Sequence, residues 1–259
     1  MIYLVRVIRS FFALAGVIAS TLIFGTSAVV LGLLNPKGDW VIRMSKGWSR
    51  MICSVSGVTL VARGTENVPR DRPAVLISNH ESNFDVPAIL LTMPVSFRVV
   101  AKKFLFYIPI FGWCLHLGGM IPIDRGRRAR AIKSLDKAAE QVRVGRPVLF
   151  FAEGTRSIDG RMQPFKKGAF VIALKAGVPI VPVSVSGGYE VMPKRSLRIR
   201  PGRIVVRYGP AIAPDGYTLQ NKDALIALVH DEVRRGIEEI EEPGPVPPAP
   251  GAAPSGRES

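Results

Sequence analysis

The sequence has few of the residues that build metal centres and disulfide frameworks. Its 259 residues include two cysteines and three histidines, and neither set has metal-ligand spacing, so no metal site is indicated. The glycines form neither a phosphate-binding loop nor a dinucleotide fingerprint, and no glycine-flanked serine marks a nucleophile elbow. Nucleotide binding and covalent serine catalysis therefore have no specific support. We expect Cys53 and Cys114 to be reduced core thiols in a cytosolic compartment, with a disulfide between them as the alternative.

Acidic residues are also scarce. The chain has 20 acidic against 35 basic side chains, a formal net charge of +15. Such a balance suggests an anionic partner, either nucleic acid, an acidic membrane surface or a phosphorylated substrate. Hydrophobic residues make up 47% of the chain and the mean hydropathy is +0.23. This composition favours a membrane surface, and we expect no nucleic-acid partner.

The N-terminal region predicts a membrane anchor over residues 1–36. Phe11–Leu34 carries no charge and is long enough for the ~20 residues that a spanning helix needs. Two geometries fit, a single span or a re-entrant helical pair bent near Gly25. Basic residues on both sides weaken the positive-inside argument for orientation. Residues 37–56 are amphipathic, and they predict either an interfacial segment or an ordinary packed helix.

The catalytic domain is predicted over residues 57–242, because predicted strands and helices alternate there. The predicted strands are Val58–Ala62, Ala74–Ser78, Phe97–Ala101, Pro147–Ala152, Pro179–Ser186 and Arg203–Tyr208, with a short one within Gly118–Asp124. The pattern predicts an α/β fold with a mostly parallel central sheet flanked by helices, behind the N-terminal membrane-anchoring helical segment. Residues 243–259 are rich in proline, glycine and alanine and are predicted to be disordered.

The strongest chemical signal is the stretch Asn79–Asp85, which follows a predicted strand. A neutral imidazole such as His80 can take a proton from a hydroxyl, and a carboxylate such as Asp85 can fix its tautomer. Five residues turn about 500° on a regular helix, so a continuous helix cannot pair these side chains. We therefore expect His80 on the strand-to-helix turn, with Asp85 folding back from the helix. The alternative is a helix-capping Asp85 beside a surface histidine.

Three other predicted strand ends carry charged residues, and at one of them the short strand ends in Asp124 and Arg125. Lys102 and Lys103 follow the third strand, and the apolar run Phe104–Trp113 after them predicts either a pocket for a fatty chain or plain core. Glu153 and Arg156 follow the strand Pro147–Ala152 within four residues. Arginine can hold a phosphate by two parallel hydrogen bonds, although a structural Arg–Glu turn would have the same sequence.

Taken together, these stretches resemble the glycerolipid acyltransferases, specifically the 1-acyl-sn-glycerol-3-phosphate acyltransferases. The resemblance covers about Gly57 to Gly209, in four blocks that occur in the order of the family. They are Asn79–Asp85, Gly119–Arg125, Phe151–Ser157 and Val178–Val185. The chain departs from the usual pattern at Ala152, where proline is common. It departs again at Phe104, where many members carry glutamate, and this second departure bears on donor or acceptor preference.

The resemblance implies transfer of an acyl group from acyl-CoA or acyl-carrier protein to the sn-2 hydroxyl of lysophosphatidic acid, without a metal or cofactor. It implies that His80 is the general base and that Asp85 orients it. The candidates for holding the acceptor's phosphate are Arg125, Arg156, Lys102 and Lys103. The implied positioning residues are Asn79, Glu153, Gly154 and Thr155, with Glu153 holding either an acceptor hydroxyl or Arg156.

Several expectations about the setting accompany this resemblance. The enzyme is expected at the cytoplasmic membrane, with the catalytic domain on the cytoplasmic side and an anionic membrane surface as partner. Glycerol-3-phosphate and lyso-ornithine lipid are alternative acceptors. A non-catalytic membrane protein that binds anionic lipid is the alternative from another class, although phosphate binding alone does not require a His–Asp pair.

Overall fold

The structure, a computed structural model, describes residues 2–34, 39–124 and 128–242. The tail predicted over 243–259 therefore lies outside the described residues, as does Arg125. The described helices are α1 Ile2–Leu34, α2 Asp39–Ser56, α3 Asp85–Thr92, α4 Phe111–Leu117, α5 Arg128–Arg143, α6 Gly168–Ala176, α7 Gly188–Val191 and α8 Lys222–Glu241. The described strands are β1 Val58–Arg63, β2 Val75–Ser78, β3 Arg98–Lys102, β4 Ile121–Ile123, β5 Val148–Phe151, β6 Ile180–Ser186 and β7 Gly202–Tyr208.

The described strands form one sheet in the order β1-β7-β6-β2-β5-β3-β4. Neighbouring strands are parallel throughout, except that β6 and β7 are antiparallel. The prediction of a mostly parallel sheet is confirmed. Strands β2 and β5 are short apolar runs that are almost wholly buried, as expected for strands covered on both faces.

Alternate residues of the central strands feed two separate cores. Leu76 and Leu149 pack on one face of the sheet with side chains of α2 and α3. Val75 and Val148 pack on the other face with side chains of α5, α6 and α8. Because strand side chains alternate between the two faces, each apolar run supplies both cores.

Helix α1 pairs with α2 as an antiparallel hairpin. A Cβ added at Gly16 would meet Val55 at 3.0 Å, and one added at Gly32 would meet Val41 at 3.0 Å. Nε1 of Trp48 also donates to the Thr21 hydroxyl at 2.9 Å. Helix α1 runs unbroken through Gly25, so the geometry that required a bend there is wrong. Helix α2 packs along α1 but also exposes Trp40, Met51 and Val55, so the interfacial segment and the packed helix both stay predictions.

The apolar surface of α1 is largely uncovered. Val7–Leu34 is long and apolar enough to cross a membrane, with a mean hydropathy of 2.2, and no other described helix meets that test. Nearby, the run predicted as pocket lining or core also exposes large apolar side chains. They are Phe104, Tyr107, Ile108 and Trp113. Most of this run is therefore not core. Cys53 and Cys114 are both free thiols, and Sγ of Cys114 donates to the Gly25 carbonyl.

Candidate active site

The candidate site lies along one edge of the sheet. Strands β2, β3, β4, β5 and β6 run in the same direction, so their carboxyl ends meet at one edge. His80 follows β2, Lys102 ends β3, Glu153 follows β5 and Gly188 follows β6. The carboxyl edge of a parallel sheet is the usual place for a binding site in α/β proteins. Residues far apart in sequence therefore meet here.

His80 and Asp85 are in direct contact at this edge. Nδ1 of His80 lies 2.7 Å from Oδ2 of Asp85, and the Asp85 side chain is fully buried. The same oxygen accepts the backbone N–H groups of Glu81 at 2.7 Å and Ser82 at 2.9 Å. Asp85 is the first residue of α3, but the helix cap is Phe84 and has no side-chain hydrogen bond. Asp85 therefore binds the preceding loop, and the capping alternative is wrong.

The imidazole is held on its face as well as on its edge. The His80 ring stacks on Phe151, with ring centroids 3.9 Å apart and an interplanar angle of 20°. The side chain of His80 is 18% exposed. Since Nδ1 is engaged by Asp85, Nε2 is the ring nitrogen that remains to exchange a proton with a ligand.

Asn79 attaches this loop to strand β6. Its side-chain amide donates to the Val185 carbonyl at 2.8 Å, and its side-chain oxygen accepts the Val185 N–H at 2.8 Å. Asn79 is buried. The pair of bonds extends the β2–β6 pairing by one residue through a side chain, so Asn79 sets the position at which the His80 loop begins.

Glu153 supports the loop from the other side. Its Oε1 accepts the backbone N–H of His80 at 2.8 Å, and the residue is 3% exposed. Burial raises the pKa of Glu153 to about 7, while the hydrogen bond from the His80 amide acts in the opposite direction. Within the described ranges Glu153 forms no ion pair with Arg156. Of its two predicted roles, the one that pairs it with Arg156 is wrong.

Glu81 and Ser82 attach the loop to α7 and the residue after it. Oε2 of Glu81 accepts the Tyr189 N–H at 3.2 Å, and the Ser82 hydroxyl donates to the Met192 carbonyl at 2.9 Å. Burial, followed by the charge of Asp85, raises the pKa of Glu81 to about 9. Glu81 is therefore mainly protonated at neutral pH and adds little negative charge beside Asp85.

A cavity of about 420 Å³ lies at the same edge of the sheet, where β3, β4 and β5 end. Its lining includes Lys102, Lys103 and Lys166 together with one acidic residue, Asp124. Gly154 also lines it, and this residue connects the cavity to Glu153, which holds the His80 amide. His80 and Arg156 are not part of the lining.

The remaining predicted residues have different positions. Thr155 is exposed, and Arg156 is half-buried with its carbonyl accepting Nζ of Lys194 at 2.8 Å. Arg156 forms no ion pair with any described residue. Arg125 lies outside the described residues, although Asp124 just before it is in the cavity lining.

Sequence reasoning missed four residues that the fold brings to this edge, namely Glu81, Phe151, Lys166 and Gly188. Glu81 and Phe151 lie inside blocks that had been singled out, but nothing in the residue types marked them. Lys166 and Gly188 are distant in sequence from His80. The local sequence around Lys166 offered only a pair of lysines directly after a phenylalanine.

The chain is similar to known acyltransferases in sequence and in fold. The model of the acyltransferase family matches residues 59–186, which include both the His80 loop and the Glu153 turn. A crystal structure of a 1-acyl-sn-glycerophosphate (LPA) acyltransferase from Thermotoga maritima superposes with a TM-score of 0.82 at 26% sequence identity. That match covers 95% of this chain and all of the other.

Several similar curated proteins are described as 1-acyl-sn-glycerol-3-phosphate acyltransferases. A 1-acyl-sn-glycerol-3-phosphate acyltransferase of Limnanthes douglasii is 32% identical over 220 residues, covering 83% of this chain and 78% of the relative. A chloroplastic protein of the same description from Brassica napus is 43% identical over 135 residues, covering 52% of this chain and 39% of the relative. A relative from Chlamydomonas reinhardtii is 39% identical, and the match covers 50% of that relative's length. The chain thus spans half or less of the length of some of the relatives that it matches.

Proposed function

This chain belongs to the 1-acyl-sn-glycerol-3-phosphate acyltransferase family, and we propose that it transfers a fatty acyl group from a thioester to the sn-2 hydroxyl of lysophosphatidic acid. The donor is acyl-CoA or acyl-carrier protein, and the product is phosphatidic acid. The observation that carries the proposal is the 2.7 Å contact between His80 and Asp85 beside a lysine-lined cavity.

His80 acts as the general base in this proposal. Asp85 holds Nδ1 of His80, so Nε2 takes the proton from the acceptor hydroxyl. The oxygen attacks the thioester carbonyl, the carbon–sulfur bond breaks, and the imidazolium returns the proton to the departing thiolate. Proton transfer of this kind contributes about 10²–10⁴ in rate. Asp85 offsets the positive charge that His80 carries between these two steps.

The acceptor's phosphate occupies the cavity lined by Lys102 and Lys103. In lysophosphatidic acid the phosphate and the sn-2 hydroxyl are on neighbouring carbons, so holding the phosphate brings the hydroxyl to the base. The support is spatial, because Gly154 lines the cavity and the adjacent Glu153 binds the His80 amide at 2.8 Å. The amides of His80, Glu81 and Ser82 already donate to Glu153 and Asp85, so other backbone amides around the His80 loop are our candidates for stabilising the oxyanion.

The uncovered apolar surface fits a substrate that lies in a membrane. Helix α1 includes the stretch Val7–Leu34, which meets the length and hydropathy of a span. The chain is strongly basic, and each lysine or arginine near an anionic leaflet contributes about 1 kcal/mol of attraction. We propose that the enzyme works at the cytoplasmic face of the cytoplasmic membrane.

Thiol release tests the reaction. Purified full-length protein would receive palmitoyl-CoA with lysophosphatidic acid, with glycerol-3-phosphate or with a phosphate-free lysolipid. We expect release with lysophosphatidic acid, and a loss of at least about 100-fold in His80→Ala, as for removal of a general base. His230→Ala is the matched control, because His230 is a half-buried histidine of α8 that packs edge-on against Phe165, away from Asp85.

The acceptor series separates the alternatives. Release only with the phosphate-free acceptor would contradict the phosphate role of the cavity. Lipid binding by the His80→Ala variant provides a second measurement, and unchanged binding with lost activity favours the enzyme. If wild type binds lysophosphatidic acid but neither thioester donor is consumed with any acceptor, the protein is a lipid binder and the proposal is wrong.

A further inference from the structure

We propose that Lys166 is a third cation in the site that binds the acceptor's phosphate, placed there by its position over Gly154. The inference rests on the proposed function and adds to it a residue that contributes to recognition of the phosphate monoester. Lys166 belongs to none of the four blocks from which the site was predicted. It reaches the cavity because the chain that leaves β5 folds back to the end of that strand.

The backbone of Lys166 is fixed to the end of β5. Its N–H donates to the Ala152 carbonyl at 2.8 Å, immediately before Glu153 and Gly154. The preceding residue, Phe165, is buried in the core. The lysine therefore starts from an anchored main chain, although its side chain is exposed.

Gly154 provides the space that this side chain occupies. A Cβ added to Gly154 would lie 3.0 Å from Cδ, Cε and Nζ of Lys166, so the lysine lies along the glycine. Gly154 also has a φ of +79°, in the left-handed region that side chains disfavour. The left-handed φ and the close approach of Lys166 thus each require a glycine here. The close approach places the ammonium group of Lys166 at the cavity.

The charges at the cavity favour a doubly charged anion. Among the described lining residues, Lys102, Lys103 and Lys166 against Asp124 leave a formal charge of +2. A phosphate monoester carries about −1.5 to −2 at pH 7. Lys166 forms no ion pair with any described residue, whereas the neighbouring Lys167 pairs with Asp223 of α8 at 3.0 Å.

The location favours the acceptor's phosphate over a phosphate of the donor. Gly154 links the cavity to the His80 loop, because the adjacent Glu153 accepts the His80 N–H at 2.8 Å. In lysophosphatidic acid the reacting hydroxyl and the phosphate are on adjacent carbons. In both donors a long pantetheine arm separates the thioester from the nearest phosphate, so that phosphate lies far from the base.

The experiment compares Lys166→Met with Lys167→Met in the full-length protein. In detergent micelles we expect Lys166→Met to raise the KM for lysophosphatidic acid about ten- to 100-fold, as for loss of a charge-assisted hydrogen bond. The KM for palmitoyl-CoA, and the rate of any transfer to a phosphate-free monoacylglycerol, should stay within about twofold of wild type. Lys166→Arg should recover most of the loss, and Lys167→Met should match wild type.

Two results would overturn the inference. One is a raised KM for palmitoyl-CoA with that for lysophosphatidic acid unchanged, which would assign Lys166 to the donor. The other is no change in either KM. If wild type transfers no acyl group, the proposed function fails, and equilibrium binding of lysophosphatidic acid to Lys166→Met still decides the inference. Unweakened binding would then refute it.

Discussion

Replacing Gly188 by alanine should impair the His80–Asp85 pair although both of those residues are kept. A Cβ at Gly188 would lie 2.6 Å from Oδ1 of Asp85 and 3.0 Å from Cβ of Ser82, both fully buried. Ordinary contacts begin near 3.4 Å. Gly188 has no positive φ, so the alanine backbone is allowed and the effect comes from the added methyl group alone.

Relief of this contact requires a shift of the carboxylate or of α7. Movement of α7 would strain the 3.2 Å hydrogen bond from the Tyr189 amide to Glu81 and the 2.9 Å bond from the Ser82 hydroxyl to the Met192 carbonyl. Overpacking of this kind costs about 1–3 kcal/mol of stability. Since a misplacement of about 1 Å can cost roughly 100-fold in rate, we expect kcat to fall by about ten- to 100-fold.

The assay is the initial rate of thiol release, with thermal unfolding measured in parallel. Gly168→Ala is the matched control, because its Cβ would meet only the tip of Leu135 at 3.2 Å and its φ is also not positive. A double-mutant cycle with Asp85→Asn isolates the route. If Gly188 acts through Asp85, the alanine should cost far less in the Asp85→Asn background. Equal losses in both backgrounds would refute the reasoning.

Three further predictions concern the residues that hold the loop and the sheet. Asn79→Ala leaves both backbone groups of Val185 without the partners they have now; it should cost about 2–5 kcal/mol of unfolding free energy, and a loss below 1 kcal/mol would contradict the bridge. The pKa of Glu153 is raised from 4.5 to about 7 in the folded protein, so the neutral form is favoured by folding. Wild type should therefore lose stability relative to Glu153→Gln as pH rises from about 4.5 to 7, by on the order of 3 kcal/mol, and a pH-independent difference in unfolding would be evidence against this. Tyr208→Phe removes the 2.7 Å hydrogen bond with Thr92 and should lower stability by about 1 kcal/mol in denaturant unfolding, whereas an unchanged midpoint would show the bond to be neutral.

Local pattern predicted the secondary structure closely because the strands are short apolar runs bounded by turn residues. Strand β6 was predicted one residue longer, and β3 shifted by one residue. The apolar run Phe104–Trp113 was harder, because composition does not distinguish a buried aromatic from an exposed one. The exposure of Tyr107 and Trp113 depends on how α4 packs against α1, which only the tertiary structure shows.

The site was predicted in part. His80 and Asp85 are five residues apart, and the impossibility of pairing them on a helix required a loop, as the structure has it. Of the two roles predicted for Glu153, the contact with Arg156 is wrong, and the contact with an acceptor hydroxyl stays a prediction. The structure instead pairs Glu153 with the backbone N–H of His80, a donor that every non-proline residue carries and no sequence pattern marks.

The sequence by itself determined the α/β class, the charge that favours an anionic partner and the His–Asp spacing that excludes a helix. Each of these follows from local periodicity or composition. Only the tertiary structure decided which strand ends meet. Strand β2 lies between β5 and β6, which brings Glu153 and Gly188 to opposite sides of the His80 loop and Lys166 over Gly154. Strand order depends on pairing between distant segments, and that pairing is set by how the two cores fill, which no local pattern records.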